Sequence, residues 1–282
     1  MKIFANIEGT DNCAVLQNDL NTVVKWCQSN KMKLNVDKCS IISFTKKKNR
    51  ITHSYTAQDT PLNRNTTVRD LGVLIDEQLT FRQHYEYIMK RSRRLLGFIF
   101  RSTKDFKNPR SMLSLFLSLV RSISEYCSPI WSPYYNVHIE NIEKIQKKCL
   151  RYICYKYKFG RTLNNYSDRL SKFGIMSLQT RRARYDLLYL HKILHSSIDA
   201  PDLLSSLSIN IRYRMRVPKV FTLSVYKNNT SFYSPLVRMC RSYNELVCGS
   251  KDTIVDVFNN KFSIYKKAVT DHFKPDVLSP HK

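Results

Sequence analysis

The apolar positions of the first fifty residues change period once, and that change organises the reading of the chain. Leu16, Leu20, Val23 and Cys27 fall at helical spacing; Thr10 or Asp11 can cap the start, and Ser29-Asn30 ends the run. A strand through Cys39, Ile41, Ile42 and Phe44 follows, rich in β-branched and aromatic residues. Lys31, Lys33, Asn35 and Lys38 occupy the connection, so cations crowd a helix-to-strand turn suited to phosphate. Ile3-Phe4 ahead of it reads as strand-like, and Ile51 to Tyr55 as a second strand, with a polar turn over Pro61 to Thr67. Val68 to Asp76 alternates as a strand with Gly72 inside it, which marks a bulge or the close approach of another backbone.

From Thr80 onward the period is mostly helical. Thr80 with Gln83 forms a capping-box pattern before Phe81, Tyr85, Ile88, Leu95 and Ile99. Asn108-Pro109 opens the next helix, with Leu113, Phe116, Leu117 and Val120 on one side. SPIWSP, Ser128 to Pro133, is a proline-bracketed turn with Trp131 as a packing anchor. Asn136 begins a helix with Ile139, Ile142, Cys149, Leu150 and Ile153 inward and Lys144, Lys147, Lys148 and Arg151 mostly opposite. Gly174 closes a short helix; Ser177 caps another that presents Arg181, Arg182 and Arg184 before Leu187, Leu188, Leu190, Ile193 and Leu194. In the tail, Val220 to Tyr226 suggests a strand, Ser234-Pro235 a helix through Val247, and Thr253 to Phe273 a last helix. The fold class is α+β, predominantly helical.

Composition adds one strong constraint. The chain carries 47 Lys+Arg against 22 Asp+Glu, a net charge of +25, which calls for a polyanionic partner, nucleic acid being the usual one. The excess is concentrated: residues 81–110 hold nine cations and two acids, including Arg91, Arg93 and Arg94, and 140–184 hold twelve and three. Lys46 to Arg50 has the form of a nuclear-import cluster, though a solvated loop accounts for it as well. The eight cysteines include no CxxC pair, which argues against a zinc ribbon or a disulfide framework and for reduced thiols in an intracellular protein, nuclear or cytoplasmic. No signal peptide is visible, and the longest apolar run, Met112 to Val120, falls short of the ~20 residues of a membrane span.

Candidate catalytic chemistry is sparse. His191 and His195 stand at i,i+4 spacing, but Lys192 occupies a place where a metalloprotease needs glutamate, and both suit a structural role. Phosphate-loop, dinucleotide and serine-hydrolase motifs are missing, and Asp19, Asp37, Asp70 and Asp76 are isolated from one another. No metal site is therefore expected.

The order MKIF, LQNDLNTVVKWCQSNKMKLNVDKCSIISF, VRDLGVLIDEQLTF resembles the later part of reverse transcriptases from non-LTR retrotransposons, most like the jockey-type elements. LGFIFRSTKDF, SLVRSISEYCSPIWSPYY and IEKIQKKCLRYI look like the segment that follows in those proteins; RRARYDLLYLHKIL, SPLVRMCRSYNEL and the final helix match their usual C-terminal region. The resemblance implies a partial palm over 1–78, a helical thumb over 79–160 and a C-terminal region over 161–282. It places the paired aspartates just before Lys2-Ile3-Phe4 and the third metal-binding aspartate farther upstream, so the chain lacks them.

By that resemblance Lys38, and less closely Lys33, matches the lysine that protonates departing pyrophosphate. Leu71 and Gly72, beside Arg69, match the primer-grip hairpin. Arg91, Arg93, Arg94, Lys147, Lys148 and Arg151 become candidates for holding an RNA–DNA or DNA duplex without sequence preference, with Arg181, Arg182 and Arg184 further along. Two-metal phosphoryl transfer needs the missing carboxylates, so Mg²⁺ is expected only in the intact polymerase and this chain is expected to be inactive alone. The rival expectation is a host-adopted, non-enzymatic nucleic-acid-binding or interaction protein.

Overall fold

Helix α1, Thr10–Ser29, leads the first of two units into which the chain divides, Met1–His84 and Tyr85–Lys282. The computed structural model describes residues 1–47, 49–159, 163–210, 219–226, 228–249 and 255–273, so Lys48 of the basic cluster and Thr253 lie outside the described residues. The N-cap of α1 is Gly9, and Asn12 accepts its N–H at 3.1 Å, so the cap differs from the expected Thr10 or Asp11. Cys13, Val24 and Cys27 are buried on the inner face, with Leu16, Leu20 and Val23 half-buried beside them. Gln17 joins this helix to the strand below: its amide donates to the Thr56 carbonyl and accepts the Thr56 N–H, both at 2.9 Å.

The strands of this unit are short. β1 (Ser40–Ile41), β2 (Thr56–Ala57), β3 (Thr60–Pro61), β4 (Asn63–Arg64), β5 (Thr67–Asp70) and β6 (Val73–Asp76) form three two-stranded sheets. β1 runs parallel to β4; β2 with β3 and β5 with β6 are antiparallel hairpins. The strand expected from Cys39 to Phe44 shrinks to two residues, because Val36–Lys38 forms a 3₁₀ turn capped by Asn35 and Phe44 is exposed. Ile51 to Tyr55 and Ile3-Phe4 are not strands; β-branched composition does not make a strand where no partner supplies a ladder. The expected strand with a glycine inside it is instead a hairpin. Leu71 and Gly72 form its two-residue turn at φ +43° and +91°, the sign pattern that matches the strands' own twist.

Asp76 organises the lead-in to the next helix, α2 (Arg82–Ser102), in place of the expected Thr80–Gln83 box. Its carboxylate accepts the N–H groups of Gln78, Thr80 and Phe81 at 3.1, 3.0 and 2.7 Å and the Thr80 hydroxyl at 3.1 Å.

Beyond residue 84 the regular secondary structure among the described residues is almost wholly helical. α3 (Pro109–Leu115) starts at Asn108, which accepts the Arg110 N–H at 2.9 Å, and runs through a π-helical turn, Phe116–Arg121, into α4 (Ser122–Glu125). Within the wide turn Ser118, and just after it Ser122, donate back to the carbonyls of Ser114 and Ser118, competition of the kind that loosens a helix ladder. α5 (Ser128–Trp131) buries Trp131 completely, with its indole N–H on the Tyr126 carbonyl at 2.7 Å. α6 (Asn136–Lys156), α7 (Tyr166–Phe173, closed by left-handed Gly174) and α8 (Leu178–Leu194, capped by Ser177) follow.

α9 (Pro201–Ser205), α10 (Asn229–Phe232), α11 (Pro235–Gly249) and α12 (Phe262–His272) complete the unit. The expected strand at Val220 to Tyr226 reduces to one bridge, Phe221 with Ile209; the Asn244 amide brackets the Phe221 backbone at 2.8 and 3.0 Å where a strand partner would stand. The final helix begins at Phe262; Val255 and Val257 ahead of it are buried, held by the Tyr243 hydroxyl at 2.9 and 3.1 Å.

Two apolar clusters fill this unit. One gathers Leu96, Ile99, Met112, Phe116, Val120, Ile145, Cys149, Leu150 and Ile153; the other gathers Leu187, Leu190, Ile193, Met239, Tyr243, Val257, Tyr265 and Val269. α8 packs on α4, α5 and α6 as well as on α11 and α12, within the single unit Tyr85–Lys282. Among the described residues no helix is long and apolar enough to cross a membrane.

His84 gives the first unit a pH dependence. It is buried, its Nδ1 accepts the Leu74 N–H at 3.3 Å, and burial holds its pKa down at about 4. Between that value and the unfolded value near 6.5 the unfolded chain binds the extra proton. Stability is therefore full above pH ~6.5 and falls as the pH drops toward 4, by up to about 3 kcal/mol. Urea unfolding at pH 7 and pH 5 is expected to show this loss, and His84→Gln to reduce it; an unchanged difference in the variant would refute the assignment.

Candidate nucleic-acid interface

The strongest concentration of cations lies where α2 and α6 run side by side. Three contacts fix their direction: the Tyr85 ring lies 4.8 Å from His138, Phe100 stacks on Tyr152 at 4.0 Å, and Lys156 Nζ donates to the Thr103 carbonyl. The pairing keeps an offset of 52 or 53 residues throughout, so the helices are parallel. Parallel helices place both negative C-terminal dipole ends together, and Arg101, Lys104, Lys156 and Lys158 at that end offset them.

Leu96, Ile99, Ile145, Cys149, Leu150 and Ile153 lie buried beneath, which leaves the opposite faces to solvent. Between the two helices is a groove of about 260 Å³ lined by Arg93, Leu96, Gly97 and Phe100 from α2 and by Lys144, Ile145 and Lys148 from α6. Its polar lining is cationic, with no acid in it. Arg91 and Arg94 are exposed on α2 and Arg151 on α6, while Lys147 is half-buried with its ammonium 5.2 Å from the centre of the Tyr166 ring. An apolar floor between basic lips can bind the phosphates of a polyanion and exclude water from part of the contact. Arg91, Arg93, Arg94, Lys148 and Arg151 thus fall where the sequence expected exposed cations. The floor and the part played by Lys144 were not expected, because sequence does not show which helices pair.

In the run Arg181, Arg182, Arg184 the first two differ from the expected exposed cations: their side chains serve the interior. Arg181 pairs with Glu125 through Nε and through Nη2 at 2.9 Å; Nη2 also donates to the Tyr185 hydroxyl at 2.8 Å, and that hydroxyl donates to Glu125 at 3.1 Å. Arg184 Nε donates to Thr270 at 2.9 Å. Arg182 is only 2% exposed, its two terminal nitrogens make no hydrogen bond, and burial lowers its pKa against the opposing charges of Glu143, Asp186 and Glu125.

Further along α8, Asp186 takes a two-pronged pair from Arg238 at 2.7 and 3.2 Å, and Arg238 also donates to the Pro129 carbonyl at 2.6 Å. Glu143 of α6 accepts the Leu178 and Gln179 N–H groups at 3.1 and 3.2 Å, a carboxylate on the positive end of α8. Arg181 and Arg182 are thus held in the interior, while Arg184 is half-buried. The acids that hold them lie far away in sequence, or one turn along the same helix, and the run alone does not reveal them.

His191 and His195 stack at 4.0 Å and donate Nε2–H to the carbonyls of Asn260 and Val257 at 2.8 and 2.9 Å. They hold the segment before α12. Among the described residues no group of three His, Cys, Asp or Glu side chains could hold a metal ion.

In the first unit, Lys33 and Lys38 are exposed, Lys38 at the end of the 3₁₀ turn. Arg69 is exposed on β5, and Leu71 stands 80% exposed at the tip of the hairpin with Gly72 beside it. Asp70 pairs with Lys2, and Asp19 and Asp37 are exposed, so the isolated acids do not converge.

Set against protein-family models, curated proteins and solved structures, the chain gives no match.

The two sets of cations should behave oppositely when removed. Arg181→Ala leaves Glu125 short of its two-pronged counter-charge and is expected to cost about 3 kcal/mol of stability. Arg93→Ala and Lys148→Ala should leave the melting temperature unchanged and weaken polyanion binding. Thermal unfolding followed by circular dichroism, with heparin or DNA retention on the same samples, checks the assignment; a stable Arg181→Ala protein that has lost DNA binding would reverse it.

Proposed function

We propose that this chain binds nucleic acid through its phosphate backbone, without sequence preference, and that it is the C-terminal part of a non-LTR retrotransposon reverse transcriptase that does not polymerise by itself. One observation supports the binding most: the α2–α6 groove brings Arg93, Lys144 and Lys148 together over an apolar floor, in a chain of net charge +25. Arg151 extends the Lys144–Lys148 face of α6, and Arg94 is exposed on α2. The polyanion gives up condensed counterions to these side chains, so binding is driven largely by salt release. In this reading α2 to α6 are the thumb, the β5–β6 hairpin is the primer grip, and RNA–DNA or DNA duplex is the partner that the resemblance implies.

The polymerase assignment rests on the order of the sequence blocks. Phosphoryl transfer needs carboxylates that hold two metal ions, and the motif that would supply them is not in this sequence. In this reading Lys38, exposed beside a turn, is the counterpart of the lysine that protonates pyrophosphate in the intact polymerase.

Fluorescence anisotropy over a salt series tests the reading. Affinity should fall steeply with salt, independent of sequence. Replacing Arg93, Lys144 and Lys148 together by alanine should shallow the slope of log K against log salt by about 2–3, near 0.9 for each phosphate that is no longer neutralised. Undetectable binding at low salt would overturn the binding reading. Templated DNA synthesis by this chain alone with Mg²⁺ would overturn the view that it does not polymerise.

A further inference from the structure

Phosphate contact does not account for everything on the basic face of α6. Lys144, Lys148, Arg151 and Tyr155 follow one another at steps of four, three and four residues, which puts them on one stripe about 16 Å long. All four are exposed. The three cations occupy roughly the first 10 Å, and the ring stands at the far end, one turn beyond Arg151. Tyr155 is 83% exposed, the barest aromatic among the described residues of this unit. The neighbouring rings are used within the protein: Phe100 stacks on Tyr152, and the Tyr157 hydroxyl donates to the Phe106 carbonyl at 2.8 Å.

The place of Tyr155 on the stripe decides what it can meet. Along a duplex the bases cover one another, so side chains that approach from a basic stripe reach phosphates and sugar edges. Those groups suit Lys144, Lys148 and Arg151 and offer a ring no flat apolar surface. A duplex bares the face of a base pair only at its end. The cations span about three base-pair steps of roughly 3.4 Å. A ring one turn further on is where a terminal pair can stack, and such stacking is indifferent to sequence.

We infer that the α6 stripe takes the end of a duplex, with phosphates of one strand on Lys144, Lys148 and Arg151 and the terminal base pair stacked on Tyr155. The inference rests on the nucleic-acid reading above and deepens it, from duplex in general to a duplex terminus. RNA–DNA and DNA duplexes end in the same kind of stacked pair, so both fit the site.

The test uses the full chain and two internally labelled DNA duplexes with the same base pairs. One is linear and blunt; the other is a dumbbell whose hairpin loops cover both terminal pairs. By fluorescence anisotropy at one low salt concentration, the linear duplex should bind more tightly, by about tenfold, the scale of one stacked base. Tyr155→Ala should bring the linear duplex down to the affinity of the dumbbell and leave dumbbell binding and the salt slope unchanged. Tyr155→Phe should keep the preference, because the ring stacks and the hydroxyl is not needed. Lys148→Ala should weaken both duplexes alike. The position is exposed, and unchanged circular dichroism spectra confirm that the variants are folded. Equal or tighter binding of the dumbbell, or a Tyr155→Ala loss shared by both duplexes, overturns the duplex-end inference while the nucleic-acid reading stands. Failure to bind either duplex at low salt overturns both.

Discussion

The constraint on which the second unit depends is the need to neutralise helix α8. This helix brings Arg181, Arg182 and Asp186 inside and presents its own positive end to the interior, and the fold must supply counter-charges to all of them. Glu125 arrives from α4, Glu143 from α6 and Arg238 from α11, so three elements are oriented by what α8 carries. Charges taken out of water cost several kcal/mol each, and only this convergence of partners makes the arrangement tolerable. It also explains why the chain from residue 85 forms one unit: the helix that requires the acids of the earlier segment is the helix on which the later segment packs.

The same arrangement shapes the outer surface. Glu125, Glu143 and Asp186 are used inside, and the exposed faces of α2 and α6 are left with little to balance their lysines and arginines. The basic groove is thus partly a by-product of how the interior is neutralised. A charge count treats Arg93 and Arg182 alike, whereas burial makes one a surface cation and the other part of the framework.

What could be read from the sequence was local. Asn108 before Pro109, Ser177 as a cap, Gly174 as a left-handed stop and the inner face of α6 all follow from contacts within a few residues, and the structure has each of them. Strands were the weak point. Cys39 to Phe44 and Val220 to Tyr226 have strand composition, but a ladder depends on a distant partner; in the second case Asn244 supplies the pairing from α11. Gly72 was visible as a special position, yet its place in a turn depended on register, which alternation alone does not fix. Nor could the sequence show that α2 lies parallel to α6, since three contacts across more than fifty residues decide it.

The π-helical turn at Phe116–Arg121 has a consequence for the spacing of its neighbours. A wide turn accommodates one residue more than an α-helical turn, so the helix after it is out of phase with the helix before it by roughly 100°. Met112, Phe116 and Val120 can all reach the core while Glu125, just beyond, is delivered to Arg181. A one-residue deletion here would restore a regular helix and swing Glu125 away from its arginine. The segment therefore tolerates changes of residue type far better than changes of length, and its reading frame, more than its composition, is what the buried charges hold in place.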